Sequence, residues 1–162
     1  MGMLNIITLT DNAYKRLGHG MSTRTAISQR LFLLAAIIYV DDTDLIHWAK
    51  FYGMTDDDSI SDVQKGVTDW GKLVQASGGS LKQSKSFWYL LSWKFVRGVP
   101  TLKTQADLPD TVLYIPQPDG STLPIDRCDN SETKKTLGVF NNPLNDCKIP
   151  LKELKEIGRA HV

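Results

Sequence analysis

The sequence predicts an α+β fold, an antiparallel β-hairpin backed by helices and followed by a β-rich segment. Three observations carry this. The apolar run Leu31–Val40 meets Asp41-Asp42, and a second apolar run, Leu45–Trp48, leaves on the far side. Apolar residues recur at helical spacing from Ile60 to Val74. Two short apolar stretches, Thr111–Ile115 and Ser121–Ile125, flank the turn-forming Pro116-Gln117-Pro118-Asp119-Gly120. Hairpin, helix and β-rich segment in that order describe one α+β layer.

In chain order, Leu4–Leu17 reads as the end of a helix, stopped by Gly18-His19-Gly20. A polar loop rich in Ser and Thr follows. Phe32–Val40 is a strand, a tight turn takes Val40 to Asp42, and Thr43–Trp48 returns. Both strands are nearly continuous in apolar residues, the pattern of a sheet's buried centre. Gly53–Asp58 reads as a polar loop, with Asp56-Asp57-Asp58 solvated in it. Ser59 caps a helix, answered by Asp62 three residues on. Ile60, Val63, Val67, Trp70 and Val74 share one face of that helix, and Gly78-Gly79 ends it. Ser80–Ser86 leads into an aromatic strand, Phe87–Trp93, whose Phe87, Trp88, Tyr89 and Trp93 are expected in the core in preference to stacking on bases. The Thr111–Ile125 region is a β-hairpin. Lys135–Phe140 is a short strand, Asn141–Pro143 a turn, and Leu151–Ile157 a helix start.

A chain of 162 residues is long enough to bury a core. Its 41% hydrophobic and 23% charged residues suit a soluble globular protein. The net charge of +1 does not mark a nucleic-acid binder. The distribution is more informative. Asp41 to Asp62 holds seven acids and one base, Lys50; Gly71 to Ala106 holds six bases and no acid. An acidic, metal-holding segment beside a basic, phosphate-facing one suits a nucleotide-processing site, and two solvated faces would read the same way. Cys128 and Cys147 form no Cys-x-x-Cys pair and read as free thiols of a reducing compartment. With no signal-peptide pattern and no membrane-length apolar run, the expected location is intracellular, in cytoplasm or nucleus, and not secreted.

Adjacent carboxylates at a hairpin tip can hold Mg²⁺ against a triphosphate. Tyr39-Val40-Asp41-Asp42 resembles the third palm motif of reverse transcriptases. Ser77-Gly78-Gly79-Ser80-Leu81 with Lys85-Ser86 is similar to the fourth palm motif, a Gly-containing segment ending in a Lys before a strand. Thr136-Leu137-Gly138-Val139 is similar to the Leu-Gly strand at the palm–thumb junction that grips the primer. Together with Phe87-Trp88-Tyr89-Leu90 and Pro118-Asp119-Gly120-Ser121, these pieces occur in the order found in polymerases of retrotransposable elements, over residues from about 5 to 145. The order is more specific than any one piece.

The resemblance implies a partial polymerase palm over residues 1–109 and a β-rich primer-grip and connection segment at the palm–thumb junction over 110–156; separately, Ile157-Gly158-Arg159-Ala160-His161-Val162 matches a translated sequencing adapter and is expected to be a non-native tail. The resemblance further implies an RNA-directed DNA polymerase that performs nucleotidyl transfer with two Mg²⁺ ions, about 3.5–4 Å apart in such sites. Asp41 would be the main metal ligand and Asp42 its support. Tyr39 and Val40 would lie by the primer end or incoming nucleotide, and Lys85, with Lys82 as a rival, would stabilise or protonate the departing pyrophosphate. Leu137 and Gly138 would contact the primer. The implied partners are an RNA or DNA template–primer, a deoxynucleoside triphosphate and the missing palm and fingers segments of the same polyprotein, with no membrane partner. Asp44 is expected as a hydrogen-bonding structural residue before a third ligand. His19, His47 and His161 show no ligand spacing. The metal-binding Asp of the first palm motif and the Gln-Gly motif are not found, so the metal site is incomplete in this chain. Inactivity in isolation is therefore expected. An RNA-directed RNA polymerase, which usually carries Gly where Val40 stands, a non-catalytic retroelement remnant and a palm-like module that only binds nucleic acid remain alternatives.

Overall fold

A computed structural model gives the structure of the chain and describes residues 3–39, 42–136 and 139–144. The described residues form a mixed α+β structure of two α-helices and several small sheets. In chain order these are α1 (Met3–Arg16), β1 (Met21–Arg24), β2 (Leu31–Leu34), β3 (Ala36–Tyr39), β4 (Asp42–Leu45), α2 (Asp56–Ala76), β5 (Phe87–Trp88), β6 (Trp93–Val96), β7 (Val99–Leu102), β8 (Leu113–Pro116), β9 (Thr122–Arg127), β10 (Lys134–Thr136) and β11 (Val139–Asn141). The chain divides into two compact units, Met1–Phe87 with Pro109–Asp126, and Trp88–Leu108 with Arg127–Val162.

In the first unit, α1 ends where expected. Gly18 takes a φ of 85°, which glycine adopts without strain. The Ser/Thr segment that follows is a loop only in part, over residues 25–30. Its first four residues form β1, paired with β2 from Met21↔Leu34 to Arg24↔Leu31. Tertiary pairing overrides its polar composition, since its side chains alternate between half-buried and exposed.

The predicted strand Phe32–Val40 is broken at Ala35. β2 pairs with β1, whereas β3 pairs with β4. Ala35 is fully buried, and its carbonyl accepts from the Ile46 N–H at 2.9 Å. A Cβ on Gly20 would come within 2.7 Å of the Ala35 Cβ, so glycine permits this crossing. Nor is the apolar run buried on both faces: Leu31, Phe32, Leu33 and Ile37 are exposed. A run of apolar letters says nothing about which face is covered.

α2 begins four residues earlier than its sequence suggests. Thr55 is the N-cap, and its hydroxyl accepts from the Asp58 N–H at 3.1 Å. Asp58 reaches back to the Thr55 N–H at 3.1 Å and completes the capping box. Asp56-Asp57-Asp58 is thus the helix's first turn, where acids favour the positive end of the helix dipole. Ser59 sits inside the helix and Asp62 is released for another role. The C-terminus follows expectation. Gly78 has a φ of 88°, and the N–H groups of Gly78 and Gly79 donate to Gln75 O and Val74 O, both at 2.9 Å, the Schellman arrangement.

Ile60, Val67 and Trp70 are buried along α2. Trp70 joins Tyr14 and Ala35 in a cluster that Ile38, Leu45, Leu73, Val74 and Leu81 pack against. β8 and β9 form the predicted hairpin, in register from Leu113↔Ile125 to Pro116↔Thr122. Its buried Leu113 and Ile115 each contribute about 1.5–3 kcal/mol. The Gln64 side chain imitates a strand along β8: its Oε1 accepts from the Tyr114 N–H at 2.7 Å and its Nε2 donates to Tyr114 O at 2.8 Å. Gln75 Nε2 donates to Pro116 O at 3.1 Å. A Cβ on Gly71 would come within 3.0 Å of Pro116, so this glycine lets β8 lie close to α2.

The predicted strand Phe87–Trp93 is not continuous. Only Phe87–Trp88 and then Trp93–Val96 are strand. Trp88 is buried as expected, Phe87 and Tyr89 are half-buried, and Trp93 is 61% exposed, which corrects its placement in the core. β6 pairs with β7, and β10 pairs with β11. Lys135–Phe140 is therefore two arms of a hairpin, not one strand. Cys128 is buried, at 4% exposure. Cys147, His161 and the helix start at Leu151–Ile157 lie outside the described residues.

Candidate functional site

The β3–β4 hairpin is built by alternation. Its register runs Ala36↔Leu45, Ile37↔Asp44, Ile38↔Thr43 and Tyr39↔Asp42, so only two residues, 40 and 41, link the strands. Ile38 and Leu45 face the Tyr14–Trp70 cluster. By the two-residue period, Ile37, Asp42 and Asp44 belong to the opposite face, and Asp42 is exposed there. A sharp hairpin at the predicted position thus brings an open carboxylate to the start of β4.

The charge of Asp42 bears on Asp44. Burial raises the Asp44 carboxyl above its usual range, and the Asp42 charge raises it further. Like charges on one strand face repel, and a bound cation would relieve that repulsion. Beyond the backbone pairing of its strand, the Asp44 side chain makes no hydrogen bond to a described residue, so the structural bonding expected of it is not found among them. Across the described residues, no group of three or more His, Cys, Asp or Glu side chains converges to hold a metal.

The other predicted site residues are dispersed or undescribed. Lys85 closes a short 3₁₀ turn, Gln83–Lys85; its N–H donates to Lys82 O at 3.0 Å and its side chain is exposed. No described contact joins it to Asp42. Val40, Asp41, Leu137 and Gly138 lie outside the described residues, and of Tyr39 only the backbone is described. Leu137 and Gly138 fall in the link between β10 and β11.

A second constellation, which histidine spacing did not reveal, lies in the same unit. Tyr14 Oη is 2.7 Å from His47 Nε2, and His47 Nδ1 is 3.3 Å from Asp62 Oδ2. Lys50 Nζ donates to the other Asp62 oxygen at 2.5 Å. Burial pushes the Asp62 carboxyl up, but hydrogen bonds from Lys50 and His47 outweigh it and hold the group below its usual range. An ionised Asp62 only accepts, so His47 Nδ1 carries the ring proton and Nε2 accepts from the Tyr14 hydroxyl. Burial then raises the Tyr14 hydroxyl far above its ordinary value, with the charges of Asp62 and Asp69 adding to it.

His19 stacks on Tyr14 with ring centroids 4.5 Å apart, and its Nε2 is 2.8 Å from Asp69 Oδ2. Gly66 makes room for this packing, because a Cβ there would lie within 3.0 Å of the His47 ring and of Tyr14 Oη. Tyr14 and His19 are closed off from solvent at 0% and 1% exposure. The chain therefore uses this network to tie α1 and the segment after β4 to α2, and no substrate has access to its hydroxyl. Long-range polar pairs of this kind have no local sequence signature.

No protein-family model, curated protein or solved structure matches the chain. No helix among the described residues is long and apolar enough to cross a membrane.

Proposed function

We propose that this chain is part of an RNA-directed DNA polymerase of a retroelement, with Asp41-Asp42 as metal ligands. The observation that supports this best is the β3–β4 hairpin itself: a two-residue link, Asp42 open to solvent directly after it, and the opposite face anchored on Tyr14 and Trp70. The residues present fit a divalent cation in part. Asp42 supplies an open carboxylate, and the raised Asp44 carboxyl marks negative charge that a cation would relieve. Asp41 and Asp42 would hold Mg²⁺, which when bound neutralises phosphate charge and activates the attacking hydroxyl. The third carboxylate would come from another segment of the parent. Lys85 would answer the departing pyrophosphate as a cation and proton donor, and the anchored hairpin would hold its acids in place without help from ligand.

The test is primer extension on an RNA template with deoxynucleoside triphosphates and Mg²⁺. The parent protein should synthesise DNA, and Asp41→Asn or Asp42→Asn should reduce synthesis on the order of 100-fold or more, the scale set by losing charge stabilisation at a reacting centre. The isolated chain should synthesise none. A parent that fails to extend primers, or carboxylate variants that extend at the full rate, would overturn the proposal. Robust synthesis by residues 1–156 alone would overturn the division of the metal site between segments.

A further inference from the structure

The segment between β4 and α2, residues 46–54, is fastened to α2 by one ring and one ammonium. His47 seats its ring where Gly66 of α2 has no side chain, since a Cβ there would collide with the ring. Lys50 reaches Asp62 on the same helix. Trp48, Phe51 and Tyr52 are exposed. The Ile46 N–H donates to Ala35 O, and inside the segment the N–H groups of Lys50 and Met54 donate to Met54 Sδ and Phe51 O, both at 3.3 Å. A stretch with so few buried contacts opens locally more readily than the helices beside it.

The seat of the ring suits only its neutral form. The titratable and charged groups around it are Tyr14 from α1, His19 from the link after α1, Asp62 from α2 and Lys50 from the segment itself; Asp69 of α2 is engaged by His19. Nδ1 donates to Asp62, whose other oxygen already holds Lys50. Nε2 accepts from the Tyr14 hydroxyl at 2.7 Å. A second ring proton must enter at Nε2, against the O–H that points there. Tyr14 must then turn its own proton away, and its fully buried hydroxyl has no other partner among the described residues. The charge also arises in a desolvated slot, with the His19 ring centroid 5.5 Å away. Asp62 alone favours it. Burial accordingly lowers the His47 pKa despite Asp62.

Either Tyr14 or His47 could leave to relieve the conflict. Tyr14 is packed between His19 and Trp70, with centroids 4.5 and 5.3 Å away, and withdrawing it would strip an aromatic ring from the core. His47 leaves by carrying an already exposed segment outward. We infer that the Tyr14–His47–Asp62 chain is an acid-operated latch: proton uptake by His47 releases residues 46–54 from α2 while α1, α2 and the β8–β9 hairpin stay packed. The latch closes again when the proton leaves. It involves neither metal nor nucleic acid, so it stands or falls apart from the polymerase reading.

The experiment is hydrogen exchange of the full chain, read by mass spectrometry at about pH 7.5 and about pH 5.5 with the intrinsic pH dependence of exchange divided out. Protection over residues 46–54 should fall several-fold, toward the roughly tenfold that an open-state pKa of 6.5 allows between those values. Low urea should leave that fall unchanged, because a local opening exposes little surface. H47Q should show no such fall. Y14F removes the hydroxyl that opposes the proton, so the His47 ring should titrate at higher pH by NMR than in wild type. Constant wild-type protection, or the same fall in H47Q, overturns the inference. So does exchange over 46–54 that accelerates with urea as steeply as that of α2, which would mean global unfolding. Should H47Q fail to fold, Y14F decides, and an unraised His47 midpoint overturns the inference.

Discussion

His47 is held between a hydroxyl and a carboxylate, and that position makes its protonation costly. Burial lowers its pKa below the ordinary 6.5, opposed by the hydrogen bond and charge of Asp62 and reinforced by the nearby charges of His19 and Lys50. A histidine whose folded pKa is depressed binds its proton less readily than in the unfolded chain. Its stabilisation is thus complete above 6.5 and is lost as pH falls below that value. Asp62 acts in a separate, more acidic window: its folded pKa is lowered, so its contribution is present above 3.8 and fades below it. Melting temperature should fall between about pH 7 and about pH 5, and H47Q, less stable to begin with, should show a flatter profile there. Parallel profiles for the two proteins would remove His47 from this role. Gly66→Ala tests the same packing. The tips of His47 and Tyr14 are pinned by their hydrogen bonds and cannot simply swing aside. The substitution should therefore destabilise by about 1–3 kcal/mol in chemical denaturation; a neutral result would mean that the rings yield freely.

At the scale of elements, the start of α2 separates two capping patterns that look alike in sequence. Ser59 with Asp62 has the same spacing as Thr55 with Asp58, and composition alone does not choose between them. The structure assigns Asp62 to His47 and Lys50, which leaves Thr55 as the cap. Thr55→Ala should cost about 1 kcal/mol, whereas Ser59→Ala, at an interior helical position, should cost little. Equal losses, or a larger loss at Ser59, would restore the later start. The β3–β4 hairpin, the Gly78-Gly79 stop and the β8–β9 hairpin were all legible in sequence, because turn chemistry and local periodicity specify them within a few residues. The pairing of β1 with β2 and the break at Ala35 were not, since both depend on partners that meet only after folding.

For the whole molecule, the distribution of tryptophan summarises where burial is complete. Trp70 and Trp88 are buried at 4% and 8% exposure, whereas Trp48 and Trp93 are open at 53% and 61%. Acrylamide should therefore quench two classes of emission, and W93F should remove much of the accessible one. A single, uniformly protected class would show that Trp48 and Trp93 are covered in solution, which would also leave the β6–β7 hairpin without its bare aromatic face. The exposed apolar residues of β2 and of the β6–β7 hairpin belong to different units.

The sequence by itself determined the α+β class, the hairpin that carries Asp41-Asp42, the helical face from Ile60 to Val74 and the turn at Pro116–Gly120. Each depends on residues close together in the chain. Only the tertiary structure decided which face of each apolar strand is covered, that Asp62 belongs to His47 and Lys50, and that Tyr14, His19 and Gly66 share one packed site. Those outcomes join residues far apart in the chain, Tyr14 and Gly66 among them, and the free energy of such contacts depends on which surfaces meet, information that no local pattern of residue types contains.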